Sequence, residues 1–155
     1  MEIAMDAPPV PTDGAAIGLY ASWGSRLGAW LIDGVLIWVA AWAAGSATGW
    51  LDPYASQGTE LSVLLVVFAG PPIYFTLCHG STAGQTLGKR ICGIAVRDAM
   101  SFGRLSHTRA FWRWFATLLL WVPLLPGLID GFSPLWQREG RAGHDFAARS
   151  VVIRL

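Results

Sequence analysis

The chain has 155 residues, of which 54% are apolar and 14% are charged, and its formal net charge is +1. A soluble domain of this length needs roughly twice that charge density to cover its surface, so much of this chain is expected to face lipid. The nearly balanced charge, without a long basic run, argues against a nucleic-acid-binding protein. Composition therefore predicts an integral membrane protein.

The N-terminal residues 1–21 are predicted to form a flexible tail, because they contain three prolines and no regular apolar pattern. This segment carries acidic residues and lacks Lys and Arg, the reverse of the basic start of a secretory signal. The apolar run that follows is therefore expected to be retained. We predict one membrane domain over residues 22–155.

Two apolar segments are predicted to cross the bilayer as helices. The first covers about 27–50, which at 1.5 Å per residue is long enough for a hydrocarbon core of about 30 Å. A short polar connection leads to the second segment, at about 61–78. The pair Pro71-Pro72 lies inside this second segment and is predicted to kink it.

The stretch 79–110 is predicted to be a loop outside the membrane, because it is polar and carries five basic residues against one acid. Two short strands are predicted to form a small layer there, Ile91–Val96 in the loop and Ser150–Leu155 at the chain's end. The run GQTLGK, with Gly84, Gln85, Thr86, Gly88 and Lys89, is one residue short of a phosphate-binding loop, and Arg90 replaces the required Ser/Thr. It therefore predicts a tight turn, with Lys89 and Arg90 on lipid headgroups or a carboxylate such as Asp145.

A third apolar segment, about 111–130, is interrupted by Pro123, Pro126 and Gly127. By the positive-inside rule the basic loop lies in the cytoplasm, and the tail 131–155 with its arginines belongs on the same side. A single crossing would place that tail outside. We therefore predict that the segment is broken, and either re-enters the membrane or lies at its interface, and that both termini are cytoplasmic.

Asp33 is the prominent candidate for a functional site. It lies about 10 Å along the first helix from Arg26, on nearly the same face and inside the hydrocarbon region. A carboxylate there costs several kcal/mol unless it is paired, hydrated or protonated, which is typical of an ion or proton site. The competing interpretation is structural, with Asp33 accepting hydrogen bonds from another helix or pairing with Lys89, Arg90 or Arg113.

Three runs of the sequence resemble the RDD family of bacterial membrane proteins: WGSRLGAWLID from Trp23, GQTLGKRICGIAVRD from Gly84, and GHDFAARSVVIR from Gly143. The family takes its name from one arginine and two aspartates. The resemblance implies that these are Arg26, Asp33 and Asp145, with Asp130 as the competing second aspartate. It also implies membrane transport, with cation/proton exchange reported for some members.

The sequence therefore predicts an all-α protein of the cell membrane, with two to three transmembrane helices and a small cytoplasmic layer. Nucleophile, base and acid do not converge in a catalytic motif, so we expect no enzyme activity, no cofactor and no metal site. The leading hypothesis is a transporter or ion/proton-exchange subunit, completed by a homo-oligomer or another membrane protein. The alternative is an adaptor that organises lipids or recruits a partner.

Overall fold

The computed structural model describes residues 19–49, 58–137 and 140–155. Within them the chain forms α1 (Trp23–Thr48), α2 (Gly58–His79), α3 (Leu87–Ile91), β1 (Ile94–Asp98), α4 (His107–Trp121), α5 (Leu125–Phe132), a 3-10 turn (Ser133–Leu135), α6 (Gly143–Ala147) and β2 (Ser150–Arg154). Most of the predicted tail and the connection 50–57 lie outside the described residues. The chain is mostly helical, but the two strands correct the all-α prediction.

Helices α1 and α2 form a long hairpin. Ser22 caps α1 by accepting a hydrogen bond from the Ser25 amide, and Gly49 ends the helix in the left-handed conformation. Within the described residues, α1 is long and apolar enough to cross a membrane, whereas the apolar part of α2 is shorter, Leu64–His79. Large apolar side chains of both helices are exposed, as lipid contact requires. Helix α2 continues through the two prolines.

The predicted strand pair is confirmed, although β1 begins three residues later than expected. Strands β1 and β2 run antiparallel, with Val96 opposite Val152. Residues 19–21, which the sequence assigned to the tail, instead extend this sheet: Tyr20 pairs with Ile153, and the Ala21 amide donates to the Val152 carbonyl at 2.9 Å. Their pairing covers one edge of β2.

The small apolar core lies under this sheet. Its members come from the start of α1, both strands, the loop before α4 and α4 itself: Ala21, Ala29, Ile94, Val96, Leu105, Ala110 and Val152. All of these elements gather at the end of the hairpin where α1 begins and α2 ends. The rest of the hairpin extends away from this layer.

The third apolar segment is broken, as predicted. Helix α4 ends at Trp121, and Leu124 adopts a positive φ of 54° before α5 starts. The chain then turns back: Trp121 stacks on Trp30 at 5.9 Å between ring centroids, whereas Phe132 stacks on Trp23 at 5.4 Å. Trp23 and Trp30 are seven residues, about 10 Å, apart along α1. The segment therefore returns toward the end from which α4 started.

Candidate functional site

Asp33 is buried where α1, α2 and α3 meet. Its carboxylate accepts hydrogen bonds from the Tyr74 hydroxyl at 3.0 Å, the Thr86 hydroxyl at 2.6 Å and the Gly88 amide at 2.8 Å. The Tyr74 oxygen in turn accepts from the Leu87 amide at 2.9 Å. All three donors are neutral. Asp33 thus ties the two long helices to α3 without a direct ion pair.

The local sequence explains why α3 docks on Asp33. Thr86 is the N-cap of α3, so its hydroxyl accepts from the Lys89 amide while it donates to Asp33. A Cβ on Gly88 would collide with the Ala29 carbonyl, so the close approach of α3 to α1 requires glycine. The loop motif is therefore a structured turn, and its Gly88 packs on α1.

The first part of the same motif is fastened to the sheet. Gly84 has a φ of 62°, and a Cβ there would collide with the Val96 carbonyl. The Gly84 carbonyl accepts from the Val96 amide at 2.8 Å, and the Gln85 side chain donates to the Ile94 carbonyl at 2.9 Å. Asp33 and β1 therefore hold opposite ends of one turn.

Asp145 is the second buried carboxylate of the site, and it is fully excluded from solvent. Arg26 donates to its Oδ2 at 2.9 Å, and Arg113 donates to its Oδ1 through Nε at 2.9 Å and Nη2 at 2.7 Å. The Ala142 amide adds a hydrogen bond at 3.1 Å. Two guanidinium groups therefore share one carboxylate, which leaves one positive charge in excess.

Asp130 and His144 form a pair beside this cluster. Asp130 accepts from the His144 backbone amide at 3.0 Å and contacts His144 Nδ1 at 2.6 Å. Arg113 Nη2 lies 3.1 Å from His144 Nε2, so this arginine links the Asp130–His144 pair to Asp145. His144 is thus largely buried and paired with Asp130.

A family model described as the RDD family matches residues 20–149. The chain belongs to the RDD family. No curated protein and no solved structure matches it. Because RDD proteins are membrane-associated, the exposed apolar helices of this chain are those of a membrane-associated domain.

The structure of this RDD protein places the predicted site residues in two linked groups. Arg26 contacts Asp145 directly, and Asp130 reaches the same cluster through His144. Asp33 stands apart: the described residues contain no Lys or Arg within ion-pair distance of it. Arg26 and Asp145 therefore form a direct ion pair in which Asp33 takes no part, and which aspartate is the family's second stays a prediction.

Charges of both groups act on Lys89. The pKa of Lys89 is lowered to about 7, chiefly by burial and next by the charge of Arg113, with a smaller effect of Arg26, while Asp33 and Asp145 act in the opposite direction. For Asp145, burial alone would raise the pKa, but Arg113, His144 and Arg26 outweigh burial and hold it well below the ordinary carboxyl range. Asp145 is thus a permanent anion at neutral pH, whereas Lys89 is close to its titration midpoint.

Four residues of the site were not singled out as site residues by the sequence analysis: Tyr74, His79, Arg113 and His144. Arg113 was recognised as a cation near the membrane, but it was offered as a partner for Asp33. Tyr74 and His79 lie five residues apart near the C-terminal end of α2, before the loop motif that starts at Gly84. A polar residue inside an apolar segment is the signal that would have found Tyr74, whereas His79 directly follows that segment. The described residues contain no group of three or more potential metal ligands, and the expected absence of a metal stays a prediction.

Proposed function

We propose that this RDD protein is a multi-pass membrane protein in which α1 and α2 cross the bilayer and the α4–α5 segment enters and returns on one side. The two tryptophan contacts support the return, because they place Trp121 deeper than Phe132 along α1. Both the loop that contains β1 and the tail that contains β2 then lie on the same side. Their arginines favour the cytoplasm.

We further propose that it acts as a proton-coupled transport subunit, with Lys89 as the group that binds and releases the proton. The observation that carries this proposal is a lysine with a pKa of about 7 inside a cluster of buried charges, at the end of the spanning hairpin. A group that titrates near neutral pH changes the charge of the cluster under physiological conditions. Such a change is what proton coupling requires.

Asp33 fits an anchoring role better than a proton site. Three donors already occupy its carboxylate, Tyr74 and Gly88 on Oδ1 and Thr86 on Oδ2. A cation at Asp33 would have to displace these donors. An ion or proton site at Asp33, in place of Lys89, is therefore the alternative form of the proposed transport function.

The pathway walls are proposed to come from further copies of the chain or from another membrane protein, since two long helices cannot enclose a route alone. Exposed aromatic side chains on α1, such as Trp38 at 68% and Trp42 at 52%, offer surface for lipid or for such a partner. The partner's identity is left to experiment.

A membrane adaptor is the second candidate. The apolar side chains exposed on the layer outside the long helices include Ile91 at 64%, Met100 at 80% and Leu155 at 67%. Apolar groups in a basic surface suit a protein partner or a lipid surface. An adaptor needs no titrating lysine and predicts no flux.

Flux in liposomes tests the proposal. Purified protein is reconstituted with a pH-sensitive dye inside, and dissipation of an imposed pH gradient is followed for the wild type, Lys89→Arg, Asp33→Asn and the control Arg90→Met. Lys89→Arg keeps the charge but cannot release its proton near neutral pH, so coupled flux should be lost. Arg90 is exposed on the same helix, and its variant should behave as the wild type.

The outcomes separate the candidates. Loss of flux in a folded Asp33→Asn variant with normal flux in Lys89→Arg would return the ion site to Asp33. Absence of protein-dependent flux under every ion gradient would reject transport by this chain and favour the adaptor.

A further inference from the structure

Helix α4 has one side that is open in the described structure. The large apolar side chains on that side are 39% to 56% exposed: Phe111, Trp112, Leu118 and Leu119. The first two are seven residues from the last two, which places all four on one face of the helix. Arg113, on the opposite face, is buried and donates to Asp145 in α6. The charge cluster therefore packs on one side of α4 and leaves an apolar face on the other.

The start of α4 lies beside the end of α2. His107, the first residue of α4, has its Nδ1 3.3 Å from the Thr76 carbonyl, and a Cβ on Gly80 would collide with its ring. Thr76 is two residues, about 3 Å, from Tyr74, which donates to Asp33 at 3.0 Å. His107 is therefore close to the level of Asp33 along the hairpin.

The end of α4 lies at almost the same level. Trp121, its last residue, stacks on Trp30 with 5.9 Å between ring centroids. Trp30 is three residues, about 4.5 Å, from Asp33 along α1. From His107 to Trp121, however, α4 is about 21 Å long. A helix of that length whose two ends differ in level by about one turn lies across the hairpin, not alongside it.

This level is the inner boundary of the hydrocarbon core. About 20 helical residues cross a core of about 30 Å, so counting back from Thr48 at the end of α1 places the boundary near Ala29. Trp30 and Trp121 lie there, and tryptophan is typical of the headgroup boundary. Because α6 and its charges lie on the other side of α4, the open face of the helix points toward the acyl chains.

We propose that α4 is an in-plane amphipathic helix of the cytoplasmic leaflet, and that the acyl chains of this leaflet are the partner of its open face. Helices of this kind bury an apolar face by about 5–10 Å at the boundary between headgroups and acyl chains. In α4 the polar face holds Arg113 in the charge cluster. The inference rests on the proposed topology and deepens it, because the third segment then enters the membrane only to this boundary before α5 returns.

The tilt of α4 can be measured by solid-state NMR in aligned bilayers of phosphatidylethanolamine and phosphatidylglycerol. There the 15N chemical shift of a backbone amide depends on the angle between its helix and the membrane normal. One sample labelled with 15N-phenylalanine reports α4 through Phe111 and α2 through Phe68. The variants Phe111→Leu and Phe68→Leu assign the two signals, because each removes one exposed ring.

The two signals should lie at opposite ends of the shift range. Phe68, in the apolar part of α2, should give a shift typical of a transmembrane helix. Phe111 should give a shift typical of a helix in the membrane plane. A Phe111 shift that coincides with that of Phe68 would overturn the inference, because α4 would then run alongside the hairpin.

The depth of nitroxide labels gives a second measurement, in a background with both native cysteines replaced by alanine. One pair of labels is placed on α4, at Phe111→Cys and Leu118→Cys, and the control pair on α1, at Leu31→Cys and Trp38→Cys. Both pairs are seven residues apart on exposed positions. The α1 pair should differ in depth by about 10 Å, and the α4 pair by about 3 Å or less. A difference of about 10 Å within the α4 pair would contradict the in-plane orientation.

The same labels distinguish lipid from a second copy of the chain. Contact with acyl chains should give the label at Leu118→Cys a high accessibility to oxygen. A second copy on this face would exclude oxygen and bring two labels close enough for dipolar coupling, and that result would overturn the choice of lipid.

The inference and the proposed function fail separately. A transmembrane tilt of α4 together with flux that depends on Lys89 would reject the in-plane helix and keep proton-coupled transport. An in-plane α4 in a protein without flux would keep the helix and reject transport. Since the tilt measurement needs no cysteine variant, misfolding of a labelled variant cannot decide the result.

Discussion

Removing the charge of Asp145 tests the cluster most directly. Asp145→Asn keeps the shape of the side chain, but it leaves the guanidinium groups of Arg26 and Arg113 facing each other without an anion. Both donate to this one carboxylate, at 2.9 Å and 2.7 Å. Like charges in a buried position repel, and no other described acid pairs with either arginine.

The expected loss follows from the burial of the pair. Breaking a buried ion pair by removing one partner costs about 3–5 kcal/mol, and a domain of this size loses about 2–4 °C in melting temperature per kcal/mol. Asp145→Asn should therefore lower the melting temperature in detergent by about 6–20 °C. Asp145→Ala should lose at least as much, because it also leaves the Ala142 amide without its acceptor.

The assay is thermal unfolding of the purified protein in one detergent, followed by the reactivity of its two partly buried thiols, Cys78 and Cys92. Arg90→Gln changes one exposed charge and serves as the control. In the double variant Asp145→Asn/Arg113→Met the repulsion is removed, so its loss should be smaller than the sum of the single losses. A melting temperature for Asp145→Asn within two degrees or so of the wild type would refute this account of the cluster.

Three further predictions concern other parts of the fold. Burial raises the pKa of Asp98, but hydrogen bonds from Ser101 and Arg109 outweigh it and hold the pKa at about 2. The stability that Asp98 contributes above pH 4 should therefore be lost as the pH falls from about 4 toward 2. An acid titration of unfolding should show a loss of roughly 2 kcal/mol. Gly88→Ala should cost about 1–3 kcal/mol in detergent, whereas Gly34→Ala, at an open position within α1, provides a control for glycine loss. A cysteine at the exposed Arg149 should react with impermeant reagents only from the cytoplasmic side, and periplasmic labelling would contradict the re-entrant segment.

Much of the fold could be predicted because it depends on local sequence. The apolar runs that became α1 and α2, the break near Pro123 and the two β-branched strands each leave a signal within a few residues. The boundaries were less certain. Leu19 to Ala21 look like part of a proline-rich tail, and their pairing with β2 depends on residues more than a hundred positions away.

The partners of the buried charges could not be predicted in the same way. Arg26 and Asp145 are 119 positions apart, and the spacing of Arg26 and Asp33 on one helix face suggested a different pairing. The three neutral donors to Asp33 were hidden because threonine, tyrosine and a glycine amide carry no charge. Sequence identifies groups that need a partner, but the chain path decides which partner is within reach.

The returning α5 helix is coupled to the proposed proton site through a short series of contacts. Asp130 near the end of α5 holds His144, and His144 shares Arg113 with Asp145. Arg113 is also the strongest charge that lowers the pKa of Lys89. Any displacement of α5 that draws Asp130 away would leave His144 free to rotate and would loosen Arg113, so the proton affinity of Lys89 would change. Under the proposed topology and function, this segment would couple movement within the membrane to protonation at its surface.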